Sequence, residues 1–145
     1  MKTIKQILDD KGRQVWSIEP DDSVYDAIKM MADKRVGALP VMRDGSLLGI
    51  VGERDYARKV ILEGKSSRST LVKEIMTSRV LCARLDQTVE EIMVLMTEKR
   101  IRHLPVINGE NIEGIISIGD LVKSIIDEQK FVIKQLEHYI SGELA

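Results

Sequence analysis

Apolar residues along the chain follow helix-like spacing in some stretches and strand-like spacing in others. The stretch "PDDSVYDAIKMMADKR" has a Ser23 cap and then apolar positions at the 3.6-residue period of an amphipathic helix: Val24, Ala27, Ile28 and Met31. The runs "ALPVM" and "LLGIV" follow on either side of an Asp-Gly pair, which predicts a tight hairpin. With the short run "QVWSI" before it and a second helix from Arg54, this stretch is predicted to be β-α-β-β-α.

The same order of elements occurs a second time, 65 residues later. The second copy has "RVLCA", a helix after Thr88, the run "HLPVI", an Asn-Gly turn and "IEGII". Eleven of the 45 pairs that align 16–60 with 81–125 are identical, and the alignment needs no gap. Upstream, "KQIL" at 5–8 resembles "KEIM" at 73–76, now 68 residues apart, so the first copy has three extra residues within "DDKGR". The pattern indicates an internal duplication.

The duplication predicts an α+β chain made of two repeats. We assign 1–70 to the first repeat, with 63–70 ("EGKSSRST") as a polar connector, 71–128 to the second repeat, and 129–145 to a helical tail. A copy of about 60 residues is small for a core of its own, so each copy is expected to bury the open face of the other. The tail has apolar residues on one stripe: Val132, Ile133, Leu136 and Ile140.

Composition narrows the range of partners. The chain has 145 residues, 43% of them apolar, and its 22 basic residues balance 23 acidic ones, which argues against nucleic acid as the main partner. No apolar stretch has the length needed to cross a bilayer, and the N-terminus lacks the apolar region of a signal peptide. The single cysteine, Cys82, excludes an internal disulfide framework and fits a reducing compartment, so we expect a cytoplasmic protein without a membrane partner.

The repeated order, "EIMT" at the start of the second copy, L-P-V before each hairpin and "GIISIGD" after the second one resemble a tandem pair of cystathionine-β-synthase (CBS) domains. The resemblance covers nearly the whole chain. The family signature, Gly-apolar-x-apolar-Thr/Ser-x-x-Asp/Asn, is complete at Gly114, Ser117 and Asp120. The first copy keeps the aspartate as Asp55 but has Gly52 in place of the hydroxyl residue.

The resemblance implies a Bateman-type module in which two repeats pack sheet to sheet about a pseudo-two-fold axis. Clefts between the repeats of such modules bind adenine nucleotides: AMP, ADP, ATP, and in some members NAD(H) or S-adenosylmethionine. "GERDYARKV" and "KRIRHLPV" further resemble small stand-alone bacterial CBS-pair proteins. The expected ligand is therefore AMP, ATP or NAD.

The signature residues have chemistry that suits a nucleotide. The carboxylate of Asp120 or Asp55 can accept hydrogen bonds from both ribose hydroxyls, although an aspartate in this position is also a common helix cap. The Ser117 hydroxyl and the helix amides beside it can donate to a phosphate. Gly52 lacks the hydroxyl, but a glycine allows a ligand to approach the backbone more closely. The alternative is that Gly52 is only a turn residue.

The segments "KRIRHLPVI" and "KRVGALPVM" occupy equivalent positions in the two copies and follow the same pattern. The second copy, however, has Arg102 and His103 where the first has Gly37 and Ala38. We expect Arg102 and His103 to hold a phosphate beside an adenine slot, the alternative being that both are surface residues. Arg54 opposes the helix dipole, which favours a phosphate contact, and Thr77 resembles the linker hydroxyl of the family. The remaining candidates are the slot residues Leu81, Cys82, Ala83, Leu104 and Pro105, and, in the first copy, Ser17, Ile18, Ala38, Leu39 and Pro40.

Catalytic patterns are missing from the sequence. One cysteine and two histidines give no Cys/His pair, no zinc spacing and no phosphate-binding P-loop. We therefore predict a non-catalytic regulatory module with no metal and no catalytic cofactor. The alternative is a ligand-free dimerisation module that regulates a separate protein. A homodimer is expected in either case, because an apolar helical face lies open and two-fold pairing is the commonest arrangement.

Overall fold

Two helix–strand–strand–helix units follow one another in the computed structural model, which describes residues 2–142. The helices are α1 (Ile4–Lys11), α2 (Val24–Lys34), α3 (Glu53–Tyr56), α4 (Val72–Ile75), α5 (Val89–Lys99) and α6 (Ile118–Ser141). The strands are β1 (Ala38–Arg43), β2 (Ser46–Gly52), β3 (Ala83–Arg84), β4 (His103–Asn108) and β5 (Asn111–Ser117). A π-helical segment, Ala57–Ile61, continues α3. The α+β class and the two repeats predicted from the sequence are confirmed.

The two hairpins have equivalent registers. Pro40 pairs with Ile50 in the antiparallel β1–β2 pair, and Pro105 pairs with Ile115 in the β4–β5 pair, with a register shift at the equivalent point of each. The first turn has positive φ angles at Asp44 and Gly45, as the Asp-Gly pair predicts. The duplicated sequence therefore folds twice into the same local structure.

The first strand of each repeat is shorter than predicted. In the second repeat it is β3, which pairs with β4 in parallel at Ala83 and Val106. In the first repeat it is a single parallel bridge between Ile18 and Val41, at the equivalent positions. Pro20 follows this bridge and has no N–H to extend the ladder, so pairing stops there.

The N-terminal helices are exchanged between the repeats. Ile4, Ile7 and Leu8 of α1 are buried in the core of the second repeat, among residues of β4, β5 and α5. Val72 and Ile75 of α4 are buried in the core of the first repeat. The division at residue 70 follows the order of the chain, whereas each hydrophobic core takes one helix from the other side of that boundary.

Backbone hydrogen bonds show the same exchange on both sides. The amide of Ile4 donates to the Gln87 carbonyl at 2.8 Å, and the amide of Val72 donates to the Asp22 carbonyl, also at 2.8 Å. These donors and acceptors are equivalent under the repeat alignment. The two halves are thus related by an approximate two-fold axis, and each half contributes one helix to the core of the other.

Helix α6 continues from the second repeat through Ser141 without a break. Its capping box at Ser117 fixes its start, and Gly142 ends it with a positive φ angle. The predicted helical tail is therefore the second half of a single 24-residue helix, with the tail residues 143–145 lying outside the described residues. Within residues 2–142, no helix has both the length and the apolar composition that crossing a bilayer would need.

Candidate nucleotide-binding clefts

Two clefts lie where the repeats meet. Cleft A has a volume of about 430 Å³ and is lined by residues 11–16 and 35–38 together with His103, Ile115, Ser117 and Asp120. Cleft B has a volume of about 240 Å³ and is lined by residues 37–38, Ile50, residues 52–55, Arg58 and residues 100–103. Each cleft is thus built from the signature of one repeat and the helix-to-strand segment of the other.

The repeat alignment maps one cleft onto the other. Cleft A residues and their cleft B equivalents are Arg35/Arg100, Val36/Ile101, Gly37/Arg102, Ala38/His103, His103/Ala38, Ile115/Ile50, Ser117/Gly52 and Asp120/Asp55. The two clefts are therefore built from equivalent backbone positions. Their side chains differ where the duplicated sequences have diverged.

The signature of cleft A forms the start of α6. The Ser117 amide donates to Asp120 Oδ2 at 2.8 Å, and the Asp120 amide donates to Ser117 Oγ at 3.2 Å. Asp120 is thus a helix cap, which was the alternative considered for it. Its Oδ1 accepts no hydrogen bond from residues 2–142 and can still accept one from a ligand.

A lysine that the sequence reasoning missed completes this site. Lys11 Nζ donates to Asp120 Oδ2 and to the Ile115 carbonyl, both at 2.7 Å. The three extra residues of the first copy lengthen α1 as far as Lys11 and place residues 12–16 along the cleft. Those extra residues were the signal in the sequence that could have led to Lys11.

Arg13 holds the same segment in place. Its guanidinium donates to Glu113 Oε2 at 3.0 Å and to Asp9 Oδ1 at 2.8 Å. Burial is the largest effect on the pKa of Asp120 and raises it, but the hydrogen bonds from Lys11 and Ser117 outweigh burial and lower that pKa overall. Cleft A therefore holds an ionised carboxylate beside an ammonium group.

Cleft B has more cationic side chains without an acidic partner than cleft A, where Lys11 and Arg13 are both paired. Its lining includes four arginines, and none of them forms an ion pair with the described part of the chain: Arg54, Arg58, Arg100 and Arg102. Its lining also includes two carboxylates, Glu53 and the signature residue Asp55, and Asp55 accepts from the Gly52 amide at 2.9 Å and pairs with Lys59 at 3.2 Å. Several free guanidinium groups around one cleft favour a phosphorylated ligand.

The position of Arg102 shows which signature it faces. Arg102 belongs to the second repeat, but it lines cleft B with the first repeat's Asp55, Gly52 and Arg54. The cause is the interlocked arrangement of the repeats, in which the segment before β4 faces the signature of the other repeat.

His103 lies between the two clefts and lines both. A Cβ atom on Gly37 would lie 3.1 Å from its Cε1 and Nε2 atoms, so glycine makes room for the ring. Burial of the imidazole lowers the pKa of His103, and the positive charges of Lys11, Arg102 and Arg54 lower it further, while Asp120 opposes them. The ring is therefore neutral at pH 7 and would gain a proton more readily beside a bound anion.

This lowered pKa predicts a loss of stability in mild acid. Between the ordinary histidine pKa of about 6.5 and about pH 5, the unfolded chain binds a proton that the native His103 resists, so the free energy of unfolding should fall. The measurement is urea unfolding across this range for the natural protein and for His103→Gln. The variant should lose less stability, and His138 serves as a histidine common to both proteins. Equal slopes with pH in the two proteins would contradict the assignment.

The other predicted residues lie outside the linings of clefts A and B, except for Ala38. Leu39, Leu104, Ile18 and Ala83 are buried in the two hydrophobic cores, and Pro40 and Pro105 are buried in β1 and β4. Ser17, Thr77 and Leu81 are exposed, and Cys82 is half-buried. The backbone of Thr77 pairs with that of Ile50. This corrects the adenine slot built on Leu104, because the side chains of Leu39 and Leu104 point into the cores.

Cys82 shows no sign of reactivity. Burial raises the pKa of its thiol, which disfavours the thiolate that nucleophilic or redox chemistry needs. Among residues 2–142, no group of three or more histidine, cysteine, aspartate or glutamate side chains is arranged to hold a metal ion.

Tandem repeats that exchange helices and enclose two equivalent clefts define the class: a paired-repeat module with a cleft at each junction. The chain belongs to the CBS domain family, whose model, described as "CBS domain", matches residues 5–62 and 72–127.

Known proteins similar to this chain include other proteins with CBS domains. The Arabidopsis thaliana protein "CBS domain-containing protein CBSX3, mitochondrial" is 41% identical over 97% of this chain and 72% of its own length. A solved structure of a protein with CBS domains from Burkholderia ambifaria MC40-6 is 52% identical, covers 88% of this chain and 96% of its own, and has a TM-score of 0.85. The CBS domain pair of protein MJ0100, solved with 5-methylthioadenosine and S-adenosyl-L-methionine, is 25% identical with a TM-score of 0.77, over 86% of this chain and 99% of its own.

Proposed function

We propose that this protein is a non-catalytic regulatory module that binds adenine nucleotides, AMP, ATP or NAD(H), in clefts A and B. The observation that carries the proposal is the pair of equivalent clefts, each with a signature carboxylate at the start of a helix and cationic side chains around it. The MJ0100 CBS pair, with its two adenosine ligands, supports an adenosine group as the common part of the ligand.

In cleft A, the free Oδ1 of Asp120 would accept from ribose hydroxyls, and Lys11 would move between the carboxylate and a phosphate. In cleft B, Asp55 would take the ribose, and Arg54 and Arg102 would bind the phosphates. His103 borders both clefts, so the two halves of a dinucleotide such as NAD could also occupy them together. The ligand would favour one arrangement of the repeats over another and so shift a conformational equilibrium.

The regulated partner would be a separate protein, and the single half-buried Cys82 is consistent with a reducing compartment such as the cytoplasm. On this proposal the chain has no catalytic turnover, so an assay for phosphate release from ATP should show none.

Calorimetric titration with AMP, ATP and NADH tests nucleotide binding directly. Asp120→Ala should weaken the ribose-containing ligand of cleft A by about 1–3 kcal/mol, because charge-assisted hydrogen bonds are lost. Asp86→Ala is the matched control, since that carboxylate is exposed and lies outside both clefts. No heat with any of the three nucleotides at millimolar concentration would defeat the proposal, and an unchanged affinity in Asp120→Ala would remove Asp120 from the site.

A second candidate is an interaction module that acts as a homodimer with or without a ligand. The observation that favours it is the exposed apolar surface of α6, where Val132, Ile133 and Leu136 are each more than half exposed, at 51%, 55% and 56%. Exposed apolar surface of this extent on one helix is typical of an interface between proteins. Light scattering would show whether the protein is a dimer before nucleotide is added.

A further inference from the structure

A further pocket lies between α1 and α6, next to cleft A. This cavity, the α1–α6 pocket, has a volume of about 310 Å³ and meets cleft A at Lys11 and Asp120, which line both. The rest of its lining consists of Lys2, Ile7, Asp10, Lys123, Ser124 and Asp127. The pocket therefore combines side chains of both charges with a hydroxyl and an apolar surface.

Ser124 is the feature of this lining that points to a ligand. The residue is only 6% exposed, and its Oγ has no hydrogen-bond partner among residues 2–142. A serine in the middle of a helix usually turns to solvent or bonds to a carbonyl of the preceding turn. A buried hydroxyl without a partner is costly, so a polar ligand group that reached it would be stabilised there.

The first repeat has a lysine, Lys59, at the position equivalent to Ser124. Lys59 Nζ donates to the Ile75 carbonyl at 2.8 Å and pairs with Asp55 Oδ1 at 3.2 Å. The equivalents of these two acceptor residues, Ile7 and Asp120, both line the α1–α6 pocket. The first repeat thus fills with an ammonium group the region that the smaller serine leaves open in the second.

Asp120 keeps a free oxygen at the place that corresponds to the ammonium group of Lys59. In each repeat, Oδ2 of the signature aspartate accepts from the amide three residues before it. Oδ1 of Asp55 pairs with Lys59, whereas Oδ1 of Asp120 accepts no hydrogen bond from residues 2–142, because Lys11 reaches Oδ2. The pocket therefore has acceptors for an ammonium group in Asp120 Oδ1 and Ser124 Oγ.

Two exposed charges determine what else the ligand should carry. Lys123 and Asp127 are one turn apart on α6, line the pocket, and form no ion pair within residues 2–142. A lysine four residues before an acidic residue is the less favourable order for an ion pair on a helix, which is consistent with their separation. A carboxylate group beside Lys123 and an ammonium group on the side of Asp127 would satisfy both. The molecule that carries these two groups on one carbon atom is an α-amino acid.

We propose that the α1–α6 pocket binds a free α-amino acid with a small aliphatic side chain. Its ammonium group takes the place of Lys59 Nζ and donates to Asp120 Oδ1 and Ser124 Oγ, its carboxylate accepts from Lys123, and its side chain lies against Ile7. The amino acid is a ligand additional to the nucleotide of the proposed function. Asp120 Oδ1 is the atom that ribose in cleft A would also use, so the two ligands exclude each other there. Only this competition rests on the proposed function.

Nuclear magnetic resonance of the isotope-labelled full chain tests the ligand chemistry without nucleotide. L-valine should give saturable shifts at amides of α1 and α6 around Ser124. Isobutylamine is valine without its carboxylate, and isovalerate is valine without its ammonium group. Each should bind at least about 10-fold more weakly, because charge-assisted hydrogen bonds are lost. No saturable shift with L-valine at millimolar concentration, or equal binding of the three compounds, overturns the proposal.

Three variants test the place of binding. Ser124→Lys copies the lysine of the first repeat and should abolish L-valine binding, because its own ammonium group occupies the site. Lys123→Gln and Asp127→Asn should each weaken binding about 5-fold or more, since each removes one charged partner of the ligand. Both charged sites are exposed, so these two variants should fold and carry the test even where Ser124→Lys does not.

Lys130→Gln and Glu137→Gln are the matched controls, because both residues are exposed on α6 and lie outside the pocket. They should leave the affinity for L-valine unchanged. Binding that survives Ser124→Lys in a folded protein, or that the controls weaken as much as Lys123→Gln and Asp127→Asn do, overturns the assignment to this pocket.

The competition with cleft A is measured separately. An AMP titration is followed at the amides of residues 12–16, which line cleft A and not the α1–α6 pocket. Saturating L-valine should move this titration to higher AMP concentration. An unmoved titration overturns the shared use of Asp120. A protein that binds L-valine but no nucleotide contradicts the proposed function and supports the amino-acid site.

Discussion

Replacing Leu8 with alanine should lower the free energy of unfolding by about 2–5 kcal/mol, the range for a large side chain deleted from a packed core. Leu8 is fully buried in the second core although it belongs to the first predicted repeat. Its Cδ2 atom would lie 2.8 Å from a Cβ atom on Gly114, so it packs directly against β5. The alanine would leave a cavity between α1 and the second hairpin.

Urea unfolding followed by circular dichroism measures this loss. Leu62→Ala is the control, because Leu62 is 78% exposed and its truncation should change stability by no more than about 0.5 kcal/mol. Trp16, the only tryptophan in the sequence, packs against the first core and gives a second probe. Its fluorescence should report the same shifted midpoint, since the exchanged helices couple the repeats. A loss of less than about 1 kcal/mol in Leu8→Ala would contradict the role of α1 in the second core.

Removing Arg102 should weaken the binding of ATP about 10- to 150-fold, because a hydrogen bond to a charged group contributes roughly 1.5–3 kcal/mol. Arg102 lines cleft B with Arg54, forms no ion pair among residues 2–142, and lies close enough to His103 to affect its pKa. Its partner in the cleft is therefore expected to be a ligand phosphate. Arg54→Ala should have a similar effect, and Arg102→Lys should restore only part of the binding because lysine lacks the planar fork.

Calorimetry with ATP and with adenosine separates this role from a general loss of structure. Arg102→Ala should weaken ATP and leave adenosine unchanged, because adenosine has no phosphate. Arg79→Ala is the control, an exposed arginine outside both clefts. Equal weakening of ATP and adenosine would assign Arg102 a structural role. If Lys11→Ala weakened ATP and Arg102→Ala did not, the phosphates would belong in cleft A.

The site could be predicted only in part. Asp120, Ser117, Asp55, Gly52, Arg54, Ala38, Arg102 and His103 do line the clefts, because the duplicated motif marks equivalent positions whatever the packing. Their grouping could not be predicted, since it depends on which segment of one repeat faces which signature of the other. Lys11 was missed for the same reason: it is far from Asp120 in the chain and reaches it only through the exchanged helix α1.

The sequence alone predicts the secondary structure and the duplication, because both depend on local interactions. Each signal spans only a few residues: the apolar period of a helix, the caps at Ser23 and Thr88, and the Asp-Gly turn. The duplicated β-α-β-β-α order can therefore be predicted from the sequence. Contacts between distant segments settle the rest: the exchange of α1 and α4, the unequal clefts, and the burial of Leu39 and Leu104. Those contacts depend on how two similar halves fit together in space, and a one-dimensional pattern does not encode which surfaces will meet.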